Sequence, residues 1–495
     1  MIGGGWNGLL IVFATPWYVS LLSLEGYGLL GFWLLMQMVL SLCDLGLGAT
    51  LVREFADSKG RHDSDGRRRD LLRTLEYVYW PVAAFLTVVI LFSSDWIANN
   101  WLKLHVLPID QVASALKWMA LALGLQFPCA LYSSGLAGLQ SQGRMNFLQM
   151  IGNSLRYGGG VAILFWKADP VWFFFVQASV AGAQTLATRA VLWRMINGVG
   201  DKKPVFRLTF LQSVWRFSAG MALTMIAGVL LANVDRLFLS KMMPAEELGK
   251  YTLAFTATGL LQMGIQPFYR AYFPRFAELF AMGDAERLRK EYYQGCRLMA
   301  GIIIPFAMIA WTFAPEIFMA WIGRVDKTIV DVFRWLLLGI ACAGLMWLPA
   351  AFQQAHGWTR LHAAMITGAL CLGAPSLLWT IKHWGTAGAT TVWVLHGVSD
   401  VTLGLWLMHK RLLSGEFFLW YRKVVLPPVL CSLPIVGLSW WLMPSGLNSW
   451  SSASWLGITS LLVIASTLLF MKFKSLDIGN IHKRAKDYKK KLLWH

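Results

Sequence analysis

"LCDLGLGATLVREFADSKGRHDSDGRRRD", residues 42–70, begins as lipid-soluble helix and ends as a solvated arginine cluster. Asp44 sits among the leucines, and Arg53, Lys59, Arg61, Arg67, Arg68, Arg69 and Arg73 follow it. A carboxylate inside hydrocarbon is costly, whereas bases at the end of an apolar span mark the side held in the cytoplasm. The stretch therefore reads as the inner end of a membrane helix. Apolar runs of about 20 residues, enough to cross a hydrocarbon core of about 30 Å, recur along the whole chain. Of the 495 residues, 57% are hydrophobic and 14% charged, where a soluble protein carries charge at about a quarter of its positions. Segments this long cross lipid as helices, and the ten-residue alternation of a membrane barrel is missing.

Apolar spans fall near 6–24, 27–51, 76–95, 114–138, 147–166, 170–193, 216–240, 250–272, 297–320, 332–356, 362–381, 387–408, 425–443 and 454–473. The expected fold class is an all-α polytopic membrane protein of about 14 transmembrane helices. Loops alternate in basicity. Arg194, Lys202, Lys203 and Arg207 follow the sixth span, Arg275, Arg287, Arg289 and Lys290 the eighth, and Lys410, Arg411, Arg422 and Lys423 the twelfth. The intervening loops hold little, with no base at Glu25–Tyr27, Lys103 after the third span, Lys167 after the fifth and Lys382 after the eleventh, so both termini are expected in the cytoplasm. The net charge of +18 is then accounted for by orientation and by membrane lipids with anionic headgroups, without nucleic acid. The N-terminus lacks a basic leader region and a convincing cleavage site, so the first span is expected to be retained.

Nothing in the pattern supplies catalytic or metal chemistry. The six cysteines lie in or beside spans without pairing or metal spacing, and read as small apolar packing residues. There is no phosphate-binding loop, zinc-protease motif or intramembrane serine motif, and no cofactor is implied. The loops are too short to fold as soluble domains, which leaves the intramembrane polar residues to carry function.

The chain also repeats itself. "YVSLLSLEGYGLLGFWLL" turns at Glu25-Gly26-Tyr27-Gly28, and "LFLSKMMPAEELGKYTLAF" turns at Glu247-Leu248-Gly249-Lys250-Tyr251. Each following helix ends in a basic exit, 27 residues on from Gly26 at Arg53 and 26 on from Gly249 at Arg275. Same-side entry six helices apart implies parallel repeats about an axis along the membrane normal. The expected domains are a six-helix lobe at 1–200, a second at 201–411 with a cytoplasmic connector at 194–215, two further helices within 412–473, and a basic cytoplasmic tail at 474–495.

Arg156, in "GNSLRYGGGVAILFW", lies about ten residues from either end of its span, too deep to reach water by extending its side chain. It is the foremost candidate anion contact; the alternative is a structural pair with an acid such as Asp44 or Asp400. Arg189, Arg270 and Arg216 are candidates for a basic entry vestibule, although the latter two lie close enough to the interface to snorkel. Asp44 reads either as a state-dependent latch or cation site, or as a satisfied structural aspartate. Asp235 and Arg236 are adjacent, about 100° apart on a helix, and need not pair with each other. His396 and Asp400, four apart on one face, suit proton coupling or a packing pair. Pro16, central in the first span, is a candidate hinge, with Pro128, Pro305 and Pro349 as further kinks.

Three stretches, "LLSLEGYGLLGFWLLMQMVLSLCDLGLGATLVREFA" (21–56), "NVDRLFLSKMMPAEELGKYTLAFTATGLLQMGIQPFYRAYFPRFAEL" (233–279) and the weaker "AGLQSQGRMNFLQMIGNSLR" (137–156), resemble the polysaccharide transporter family. Within it the resemblance is to the O-antigen (Wzx-type) flippases of the multidrug/oligosaccharidyl-lipid/polysaccharide exporter superfamily. It covers the first twelve spans. It implies two pseudo-symmetric six-helix lobes around a central cavity, alternating access, and a lipid-linked oligosaccharide cargo carried on undecaprenyl diphosphate. Arg156 and Arg189 are the positions matched to cationic cavity residues. The resemblance further implies a bacterial cell inner membrane location, with a polysaccharide polymerase and a chain-length regulator as candidate partners. The two extra C-terminal helices depart from the many twelve-span members and occur in lipid II flippases of the superfamily. A multidrug exporter and an O-antigen polymerase or ligase are the competing readings.

Overall fold

A computed structural model describes residues 2–44, 46–57, 64–196, 204–207, 226–444, 451–452 and 454–467. The described residues are helical almost throughout, and their only β-type pairing is an isolated bridge between Lys103 and Pro244. Eight helices are long and apolar enough to cross a membrane. Large apolar side chains stand out from them, with Phe92 86% and Leu372 75% exposed. Such a surface is suited to lipid rather than water. The protein is a multi-pass membrane protein.

The helices correspond to the expected spans in a way that chemistry explains. Gly5–Cys43 takes in the first span and most of the second. Helices α5 (Gln142–Trp166), α6 (Pro170–Ile196) and α8 (Ala245–Ala281) have 25, 27 and 37 residues but are absent from the apolar set. In α5 and α6 the reason is the polar residues they carry, among them Asn153, Arg156, Gln177, Gln184 and Arg189. The seventh span is described only from residue 226, continuing into α7 (Val234–Met242). The fourteenth is the shorter helix Ser454–Thr467.

Two boundaries differ from expectation. The expected helix to residue 51 stops at Cys43, because Gly46 takes φ 79°, a left-handed conformation that glycine adopts without a Cβ clash. The chain resumes as α2 (Leu47–Asp57), an amphipathic helix that buries Leu47, Leu51 and Phe55 and leaves Arg53 exposed. Upstream, α1 (Ile2–Cys43) is interrupted at Ser23, with φ 67°, rather than across Glu25–Gly28. The Ser23 hydroxyl accepts the Gly26 N–H at 3.3 Å, as a capping side chain does where a helix restarts. Pro16, the expected hinge, lies inside the continuous part of α1.

The chain forms two compact units, Met1–Ala257 with Ile366–Val392, and Thr258–Met365 with Trp393–His495. The division falls within α8, within α13 (Arg360–Gly388) and near the start of the helix Thr391–Ser399. In the first unit α4 (Ile109–Gly138) packs on α6 and on α3 (Ser64–Trp96), while α5 packs on α1 and α6. The glycine marks of the two repeats meet here. A Cβ on Gly28 would fall 2.0 Å from the Ala245 carbonyl oxygen, and one on Gly249 2.1 Å from that of Leu24. Only glycine admits such an approach. Around this contact Glu25 accepts the backbone N–H groups of His105, Val106 and Leu107 at 2.6, 2.7 and 3.1 Å. Lys103 and Lys241 donate to the carbonyls of Met242 and Asn100, each at 2.7 Å. Backbone contacts thus tie this end of the unit together.

In the second unit α9 (Ala285–Thr312) packs on α11 (Lys327–Leu345) and α17 (Leu426–Trp441). Ile309, Phe313, Val436 and Val463 form one apolar cluster, so both C-terminal helices join this unit's core. Their opposite faces expose Leu461 and Trp441. The tail at 474–495 lies outside the described residues.

Candidate functional site

Arg156 is half-buried on α5 and donates through Nη2 to the Gln184 side-chain oxygen of α6 at 3.1 Å. Its Nε is shut off from solvent and has no hydrogen-bond partner among the described residues. Gln177, about two turns earlier on α6, donates to the Arg156 backbone carbonyl at 3.2 Å. The expected alternative within this unit, a pair with Asp44, is not formed. Among the described residues Arg156 makes no ion pair, and its partner is a neutral amide. An amide orients a guanidinium without neutralising it, so the full charge is left for an anion.

Arg189 is placed differently. Its Nε lies 2.8 Å from Glu76 Oε1, and Arg73 Nη1 lies 3.0 Å from the other carboxylate oxygen. Tyr132 and Trp193 also donate to Glu76, at 2.8 and 2.9 Å, and Trp80 donates to Tyr132 at 3.0 Å. Five side chains from α3, α4 and α6 thus converge on or around one buried carboxylate. Arg189, matched to an anion-binding position, has its charge answered within the chain. The sequence reading passed over Glu76 because the third span was drawn to begin there, which put a deep carboxylate at the interface. The signal available was Arg73 three residues before it on the same helix face.

Asp44 occupies the break between α1 and α2. Tyr79 of α3 donates its hydroxyl to Asp44 Oδ1. The same carboxylate lines a cavity of about 500 Å³ with Gln37, Ser41, Gln126 and Ser134. The partner is a phenol within the same unit, not an arginine. Asp235 repeats this solution: it is fully buried, accepts the Tyr251 hydroxyl, and accepts the Arg236 backbone N–H at 2.8 Å. Arg236 turns away to Asn233 at 3.2 Å and covers the Phe255 ring at 3.8 Å. A phenol satisfies a buried carboxylate without importing a second charge.

The second unit has its own cavity, of about 440 Å³, mostly apolar with a few polar side chains in its lining. His396 Nε2 and Asp400 Oδ2 are 3.7 Å apart along its wall, where α14 (Thr391–Ser399) passes into a π-helical turn at Asp400–Gly404. His396 and Asp400 therefore share a face, as their spacing predicts. His362 lines the cavity as well. Arg270 is exposed on α8 and does not line it. Arg216 lies outside the described residues. No group of three or more potential metal ligands occurs among the described residues. The i, i+4 spacing indicates His396 and Asp400, whereas Tyr269, the Trp347–Gln354 pair and Trp393 come from three different helices, and no spacing rule brings those helices to one cavity.

A family profile described as "Polysaccharide biosynthesis protein" matches residues 2–280, and one described as "MatE" matches residues 221–379. The chain is 23% identical over 417 residues to a Shigella flexneri protein named "Putative O-antigen transporter", covering 81% of this chain and 96% of that one. It is 22% identical to the teichuronic acid biosynthesis protein TuaB of Bacillus subtilis, covering 74% and 71%. In fold it is similar to the lipid II flippase MurJ in an inward closed conformation, with a TM-score of 0.71 and 12% identity over 96% and 98% of the two chains.

Proposed function

We propose, for a chain that belongs to the polysaccharide biosynthesis protein family, that it is a flippase for undecaprenyl-diphosphate-linked oligosaccharides. On this reading it moves them from the cytoplasmic to the outer leaflet of the bacterial inner membrane, for O-antigen or another surface polysaccharide, by alternating access. A diphosphate does not cross hydrocarbon unshielded, whereas a polyprenyl tail stays in lipid throughout. The task needs a cationic slot at membrane depth, and no catalytic group. The observation that carries the reading is Arg156, held by Gln184 with no carboxylate on it. At mid-bilayer an arginine costs about 2.5–3.5 kcal/mol on insertion scales, and among the described residues no internal ion pair offsets that cost. The S. flexneri and B. subtilis relatives, named for two different surface polymers, agree with a cargo recognised by its shared lipid diphosphate. Basic loop placement supports cytoplasmic termini.

The test is complementation of a deletion strain. Arg156→Ala is expected to abolish surface polymer while membrane abundance stays at the wild-type level, and Arg156→Lys to restore part of it. Full polymer with the alanine variant removes Arg156 from the mechanism.

The MatE match favours a second reading, export of organic cations. Overexpression then raises resistance to cationic drugs without altering surface polymer; unchanged resistance excludes it.

A further inference from the structure

We propose that the cavity of the second unit, mostly apolar with a few polar side chains, is a glycan-binding subsite that holds sugar residues of the cargo by their faces and hydroxyls. The inference rests on the cargo reading above. Sugar recognition needs two things together: flat aromatic surface for the C–H face of a pyranose, and planar polar side chains that both donate and accept for its hydroxyls. The cavity supplies both. Trp347, Trp393 and Tyr269 give the aromatic surface, and Gln262, Gln354 and His362 the planar polar groups.

The arrangement is built rather than incidental. Tyr269 donates to Gln354 Oε1 at 2.7 Å, which fixes the amide so that its NH₂ is left as a donor. The Tyr269 ring stands edge-on to Trp347, 5.8 Å between centroids at 86°, and parallel to Phe273 at 5.7 Å. The two rings are therefore locked before any ligand arrives, and a preformed surface loses little entropy on binding. His396 and Asp400 lie 3.7 Å apart in the cavity lining, and the Nδ1 of His396 is buried without a hydrogen-bond partner among the described residues. A volume of about 440 Å³ falls within the range of pockets that enclose small ligands, roughly 300–1,000 Å³. Among the described residues no lysine or arginine lines this cavity. It thus offers nothing to a diphosphate, while amide, imidazole and carboxylate groups suit hydroxyls. An organic cation would use the same aromatic surface with Asp400, but that carboxylate already faces an imidazole one helical turn away and the two amides would find no use.

The test uses the full-length protein in lipid nanodiscs and, as probe, the water-soluble oligosaccharide released by mild acid from the host's lipid-linked pool. Saturation-transfer NMR is expected to show transfer to the sugar ring protons with wild type. It is expected to fall at least fivefold with Trp393→Leu and, independently, with Gln354→Leu, both variants running as intact protein on size exclusion. If one variant fails to fold, the other carries the comparison. No transfer to the wild type, or undiminished transfer to both folded variants, overturns the subsite. Tetraphenylphosphonium bound in an Asp400-dependent way while the oligosaccharide is silent overturns it too, and assigns the cavity to cations. Because the probe carries no diphosphate or lipid, its binding does not depend on Arg156. Loss of the flippase reading by active Arg156→Ala and loss of the subsite are therefore read separately.

Discussion

Arg156 and Arg189 look alike in the sequence and differ in the fold. Both lie inside apolar spans that pack on each other, and both are matched to the same family feature. Arg189 shares a carboxylate with Arg73 and sits in a cluster of five side chains around Glu76. Arg156 meets only the amide of Gln184. The difference teaches that depth alone does not make a binding residue. An intramembrane charge answered within the chain organises helices; one held by a neutral group keeps its charge, which the proposed function assigns to the cargo.

Three perturbations sharpen or break this contrast. The largest effect is expected at Glu76. Glu76→Ala leaves two guanidiniums, a phenol and an indole without their acceptor, where breaking a fully buried pair costs about 3–5 kcal/mol. The side chains of Arg73 and Arg189 remain 38% exposed against 4% for Glu76, so solvent recovers part of that and about 2–3 kcal/mol is expected. The measurement is membrane abundance and thermal aggregation temperature, both falling, with Arg189→Ala added to the same chain restoring part of the loss. No change in either would mean that the cluster does not organise the unit.

A smaller effect is expected at Tyr79. Tyr79→Phe removes the donor to Asp44 and should cost about 1 kcal/mol, read as a modest fall in aggregation temperature. Replacing Asp44 by Asn in the phenylalanine variant should add less than it does alone, since the two share one hydrogen bond. Full additivity would separate Asp44 from Tyr79.

The smallest stability effect is expected at Gln184. Gln184→Ala should lower thermal stability by under about 1 kcal/mol, yet reduce surface polymer several-fold in the complementation assay by releasing Arg156 from its set orientation. An equal loss of abundance and polymer would make Gln184 a packing residue only.

Much of the fold was legible because it rests on local properties. Span length and apolar composition are written in short windows of residues. The limits appeared where glycine or serine redirected the backbone. Gly46 ended a helix eight residues early, and Ser23 moved a turn upstream. The repeat marks were read as two similar turns, and nothing in their spacing announced that Gly28 and Gly249 pack backbone to backbone.

By itself the sequence determined a helical membrane protein with arginines and carboxylates at depth, since hydrophobic length and the cost of a charge in lipid depend only on nearby residues. The tertiary structure alone decided which of those charges are answered. Glu76 and Arg189 are 113 positions apart, Asp44 and Tyr79 35, and Arg156 and Gln184 28. Electrostatic pairing is set by distances of a few ångströms between helices, and no local pattern encodes them.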